Sequence, residues 1–163
     1  MNRAGFAEIL SRLADHEVKF IVVGMTAGAL QGAPVTTIDV DIVHSRDPEN
    51  VGRLLRALGE LDAVYRHDPR GLRPTESHLL SEGHQLLRTK HGDLDCLGTI
   101  DQGRGYDDLL PHTVEMSLDD GKKIKVLDLP GLIEAKERAG RPKDLAALPV
   151  LRATLDETRR RKP

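Results

Sequence analysis

The sequence predicts an α+β fold, a mixed β-sheet with helices mainly on one face and a pair of helices at the C-terminal end. Three observations lead there. Apolar and amphipathic segments follow one another as helix, strand, helix, strand, helix, then further strands, then two helices. The first strand, Val18–Gly24, is continuously apolar, as a central strand buried on both faces must be. Two later segments alternate apolar and polar residues on either side of a tight turn, which marks hairpins.

Each element has its own local cause. Phe6, Ile9, Leu10 and Leu13 recur at helical spacing, so residues 3–15 are expected to be an amphipathic helix. After the first strand, residues 26–32 are rich in Ala and Gly and predict a short helix packed closely on it. Residues 33–36 form a loop into a second strand, 37–43. Asp47-Pro48-Glu49 reads as a helix start, with a cap, a proline suited to the first turn and an acid for the dipole. Val51, Leu54, Leu55 and Leu58 continue that helix. Residues 62–83 hold Pro69, Gly71 and Pro74 and show no period, so they are expected to be irregular and to offer a substrate loop. Gln85–Thr89 and Asp93–Leu97 form a hairpin turning at His91-Gly92. A second hairpin turns at Asp119-Asp120-Gly121, with Val114, Met116, Ile124 and Val126 alternating. Pro130–Ala139 is a helix stopped by Gly140. Pro142 opens the last helix, with Leu145, Leu148, Leu151 and Leu155 on one face. The basic run Arg159–Lys162 is expected to be a frayed, solvated end. No repeat or low-complexity segment interrupts the chain. With 163 residues, it is expected to be one domain, 2–128 forming the sheet core and 129–157 the C-terminal helices.

Composition excludes several function classes. A net charge of −2 gives no global field for nucleic acid or anionic membrane. Two Phe and two Tyr offer no stacking platform for single-stranded RNA. One cysteine, Cys96, rules out an internal disulfide and fits a reducing cytoplasm. It alternates with Asp95 and is expected to face the core. The seven histidines lack zinc-type spacing. The first residues have no signal-peptide pattern, and the longest apolar run is too short and glycine-rich to span a bilayer.

The chemistry concentrates in Thr37-Ile38-Asp39-Val40-Asp41-Ile42-Val43. Side chains alternate along a strand, so Asp39 and Asp41 share a face. Two adjacent carboxylates repel unless a cation lies between them, and Mg²⁺ takes such hard oxygen ligands together with phosphates. The glycine turn that follows the first strand stands close by, a source of backbone N–H groups for phosphate. The strand Gly92–Leu97 brings further acids, Asp95 or Asp93, of which Asp95 is preferred as the third. Three carboxylates can hold one or two Mg²⁺ ions, and the third acid is then the natural proton acceptor or orienter of the attacking hydroxyl. Asp144 reads as a helix-start charge, and Lys136, near Leu132 and Ile133, as a side chain that can simply extend along apolar surface.

These residues resemble the nucleotidyltransferase superfamily with the polymerase-beta-like core. The pattern is an apolar strand, Gly24, about a dozen residues, then Thr37-x-Asp39-x-Asp41. The segments Leu129–Lys136 and Gly140–Leu145 are similar to stand-alone bacterial members grouped with AbiEii-type toxins and minimal nucleotidyltransferases. The resemblance spans roughly residues 5–156 and is weakest over 60–83. It implies transfer of a nucleotidyl group from an NTP to an acceptor, which is RNA such as tRNA, a protein or a small molecule, and it admits a cognate antitoxin as partner. It implies that Asp39, Asp41 and Asp95 are catalytic and ligate Mg²⁺. It further implies that Gly24, Met25, Thr26, Lys136 and Lys143 face the nucleotide. Two positions depart from the family pattern: Met25 stands where Gly or Ser follows the first glycine, and Val35 where many relatives have Arg. The alternative expectation is therefore a catalytically weak or inactive nucleotide- or partner-binding module of the same fold.

Overall fold

The computed structural model describes residues 3–162. The elements follow in order: α1 (Arg3–Asp15), β1 (Phe20–Val23), α2 (Gly24–Leu30), β2 (Asp39–His44), α3 (Pro48–Glu60), β3 (Val64–Tyr65), α4 (Glu76–Leu80), β4 (His84–Thr89), β5 (Gly92–Leu97), α5 (Tyr106–Leu109), β6 (Thr113–Ser117), β7 (Lys123–Leu127), α6 (Leu129–Ala139) and α7 (Pro142–Arg161). The seven strands form one mixed sheet in the order β3-β4-β5-β2-β1-β7-β6. β1 runs parallel to β7 and β2 parallel to β5, and the other neighbours are antiparallel.

Register decides what each face carries. Phe20, Val22, Val40, Ile42, His44, Leu94 and Cys96 lie on one side of the three central strands. All are buried, and α1, α3 and α4 pack in a connected layer with this side. Phe6 of α1 lies against Gly92, and His44 Nε2 lies 2.8 Å from the Leu79 carbonyl oxygen of α4. The reverse side carries Ile21, Val23, Asp39, Asp41, Val43, Asp93, Asp95 and Leu97. Helix α2 touches β1, β2 and α6, and α6 packs on α7. Gly28 lets α2 sit tightly here, since a Cβ would stand 3.0 Å from a methyl of Leu151 and 3.5 Å from one of Leu132.

Both hairpins form as the alternation predicts, and so does the start of α3, where Asp47 accepts from the Glu49 N–H and Pro48 takes the first turn. Gly140 ends α6 in the left-handed conformation. The structure departs from expectation at several places, and β2 runs Asp39–His44 where 37–43 was expected. The first strand is shorter, because Gly24 takes a φ of 66° and begins α2 at once. The stretch 62–83 is not wholly irregular, since it holds β3 and α4, the latter capped by Thr75 and His78. Leu145 is exposed, leaving Leu148 and Leu151 as the buried anchors of α7. The basic end is helical through Arg161, held by Glu157 pairs to Arg160 and Arg161, although it is solvated as expected. Among the described residues no helix is long and apolar enough to cross a membrane.

Candidate functional site

The parallel pairing of β2 with β5 builds the site. It sets Asp41 opposite Asp95 and Asp39 opposite Asp93, all on one face. Asp39, Asp41 and Asp95 each offer a carboxylate oxygen within 4.8 Å of the others. Of the two acids on β5, Asp95 is the one that joins this cluster. Asp93 stands beside Asp39, with Arg66 Nε at 3.8 Å.

The cluster is costly without a counter-charge. Burial pushes the Asp41 carboxyl up to about 8, helped by the charges of Asp39 and Asp95 and by a hydrogen bond with Asp95, while Lys136 opposes the shift. Asp39 is raised as well, by burial first and then by Asp95, with Arg66 opposing. With the Asp41 carboxyl raised to about 8, the metal-free cluster keeps a proton at neutral pH.

Backbone and neighbours hold the acids in place. A Cβ on Gly24 would collide with the Asp41 carboxylate, so the end of β1 closes on that side chain only because residue 24 has none. Thr26 is buried and its hydroxyl donates to the Asp39 carbonyl oxygen at 2.8 Å, tying α2 to the first residue of β2. Met25 is half-buried and packs on the core, as does Val35. The sequence brought Gly24, Met25 and Thr26 together as a phosphate-facing turn; in the structure they are the first turn of α2, and the Thr26 hydroxyl is engaged with the strand.

The two lysines approach from the C-terminal helices. Lys136 Nζ lies 3.3 Å from Asp144 Oδ1 and is close enough to Asp41 to lower its pKa. Lys143 is exposed, and its charge is felt at Asp39. Asp144 is more than a helix-start charge. Its carboxylate is 1% exposed and accepts from the Arg141 backbone N–H (3.2 Å), from Arg141 Nε (2.6 Å) and from Lys136. Burial raises its pKa, but the bonds from Arg141 and Lys136 outweigh burial and leave it lowered. A cleft of about 130 Å³ runs from Asp41 and Gly24 to Lys136, Arg141 and Asp144, its wall lined by Val23, Leu97, Leu127 and Leu132. It joins an acidic floor, a basic rim and an apolar side.

Sequence reasoning missed Arg66. Its guanidinium spans the acids: Nη1 donates to Asp95 Oδ1 at 2.5 Å, Nη2 to Asp95 Oδ2 at 3.3 Å, and Nη2 lies 3.9 Å from Asp39 Oδ2. It follows a two-residue strand in a stretch without period, so no local signal marks it. Asp101 was missed too. It lines the cleft, buried and bridged to Arg104 by two bonds of 2.9 Å.

No family model matches this chain, and neither does any curated protein. Among solved structures, a candidate nucleotidyltransferase of Thermotoga maritima is similar, with a TM-score of 0.59 and 23% identity over 96% of each chain. The fold is nucleotidyltransferase-like. The likeness extends over nearly the whole chain, including the C-terminal helices that bring Lys136 and Lys143 to the acids.

Proposed function

We propose that this chain is a Mg²⁺-dependent nucleotidyltransferase that moves an NMP group from an NTP to an acceptor hydroxyl. One observation carries the reading: Asp39, Asp41 and Asp95 converge within 4.8 Å at the point where Gly24 ends β1. The donor set fits the ion. It is all carboxylate oxygen, partly desolvated, and its retained proton marks a place where positive charge is needed. Asp39, Asp41 and Asp95 are the residues that would hold it. A bound Mg²⁺ supplies the charge that joins carboxylates to a triphosphate and polarises the phosphoryl oxygens.

The chain's own residues supply the rest. Lys136 and Lys143 attract the triphosphate, and Gly24 leaves the floor beside Asp41 open to it. The apolar wall of the cleft takes the base and sugar. Asp95 accepts the proton that the acceptor hydroxyl loses as its oxygen bonds to the α-phosphorus and pyrophosphate departs. The acceptor is an RNA such as tRNA, a protein or a small hydroxylated molecule, and the setting we favour is a cytoplasmic toxin–antitoxin pair of the minimal or AbiEii-like kind.

A second reading has an observation in its favour. Arg66 engages both oxygens of Asp95, and Met25 stands in the first turn of α2, which together suit a nucleotide-binding module without turnover.

Thermal melting with Mg²⁺ and each NTP tests binding. Saturation to a hundred times the dissociation constant adds about 2.7 kcal/mol, and Asp39→Asn with Asp41→Asn should abolish the rise. No shift with any of the four NTPs would sink both readings. Transfer of label from α-³²P NTP to tRNA, protein or small-molecule acceptors then separates enzyme from binder.

A further inference from the structure

Arg66 occupies ground that a second metal ion would need. All three nitrogens of its guanidinium face acids: Nη1 and Nη2 meet the two oxygens of Asp95, Nη2 also faces Asp39, and Nε faces Asp93. The side chain is only 15% exposed. It is also anchored at the sheet, where Nη1 donates to the Leu87 carbonyl oxygen at 3.0 Å and the Arg66 backbone N–H donates to the Leu86 carbonyl oxygen at 3.2 Å. A guanidinium cannot give up its charge in a protein, and its planar fork matches a carboxylate. Asp41 is the one acid of the three with no ion pair to Arg66 among the described residues; it shares a hydrogen bond with Asp95, lies against Gly24 and feels Lys136 through space.

We infer that Arg66 is a resident cation that stands in for one of two metal ions, so that the site takes a single divalent ion, held between Asp39 and Asp41. This rests on the nucleotidyl-transfer reading above. An ion bridging Asp95 and Asp39 would sit about 2.1 Å from an oxygen of each. Nη2 lies between those same two groups, at 3.3 and 3.9 Å. The ion and the guanidinium exclude one another there by volume and by charge. Asp41 has no ion pair among the described residues, and an oxygen of its carboxylate lies within 4.8 Å of one on Asp39, so that pair stays open to an ion.

Counting bound Mn²⁺ tests the inference without reference to turnover. Equilibrium dialysis with Mn²⁺ and each α,β-methylene NTP should give one Mn²⁺ per bound nucleotide in the unaltered chain. Arg66→Ala, which opens the space, should give two, and Arg66→Lys, which keeps the charge, should give one. Circular dichroism and melting confirm that each variant is folded. If Arg66→Ala does not fold, Arg66→Gln replaces it, with the same count of two expected. Two Mn²⁺ per nucleotide in the unaltered chain overturns the inference while leaving the nucleotidyl-transfer reading intact. One Mn²⁺ in the folded neutral variant overturns it likewise. Absence of nucleotide binding in every protein overturns the reading itself, and the inference with it.

Discussion

Gly24 and Asp41 meet so closely that the glycine Cα forms one wall of the carboxylate's pocket. The contact joins the end of β1 to the middle of β2 across their antiparallel pairing, in which Val23 stands opposite Asp41. Gly24→Ala should therefore act twice. The left-handed φ of 66° costs a Cβ-bearing residue about 1–2 kcal/mol, seen as a melting temperature lower by roughly 4 °C. The new methyl group also turns the Asp41 carboxylate away, so the rise in melting temperature with Mg-NTP should vanish. A variant that melts lower but keeps the full Mg-NTP rise would show that the contact is only structural.

Proton release should govern metal binding. The Asp41 carboxyl is raised from 3.8 to about 8 by burial and by its acidic neighbours. A carboxyl raised in the folded state stabilises it fully below the unfolded value and loses that contribution as pH climbs through the folded value, so the metal-free chain should weaken between about pH 4 and 8. A divalent ion must displace that proton. Its affinity should rise about tenfold per pH unit below 8 and level off above. Calorimetric titration of Mg²⁺ or Mn²⁺ from pH 6 to 9 measures this, and Asp41→Asn should flatten the metal-free stability profile. A pH-independent affinity would place the ion elsewhere.

Asp144 should matter more for stability than its position in a first helical turn suggests. Its buried carboxylate is the partner of Lys136, whose side chain is only 18% exposed. Removing one partner of a buried pair leaves the other unpaired, at a cost of about 3 kcal/mol. Asp144→Ala should show that loss in urea unfolding. Lys136→Met with Asp144→Ala should recover much of it, since the two buried charges then leave together and the remaining partner, Arg141, is 60% exposed and solvated.

Much of this site was legible because alternation in a strand is a strict rule. Two acids at Asp39 and Asp41 had to share a face, and the strand Gly92–Leu97, once it lay beside them, could add Asp95 or Asp93. Only pairing could choose between those two. The parallel register sets Asp41 beside Asp95, whereas a slip by two residues would have chosen Asp93. The same rule placed Cys96 on the buried reverse of β5, where burial pushes its thiol up. Arg66 was illegible for the opposite reason. It stands after a strand of two residues and just before a stretch broken by Pro69, Gly71 and Pro74, and its position depends on tertiary contacts with β4 and with the acids of β2 and β5. The Arg141–Asp144–Lys136 cluster lay half in view. Asp144 and Lys136 were each explicable from their own helices, and the burial that joins them follows from how α6 and α7 pack.

Arg66 falls in the chain after Asp39 and Asp41 and before Asp95. A ribosome therefore delivers the guanidinium before the last acid of the trio. By the time β5 emerges and docks beside β2, a neutralising group is already tethered to the growing sheet. Lys136 and Lys143 arrive some forty residues later. The charge of the third acid is thus met from within the first hundred residues, by a partner that needs neither C-terminal helix.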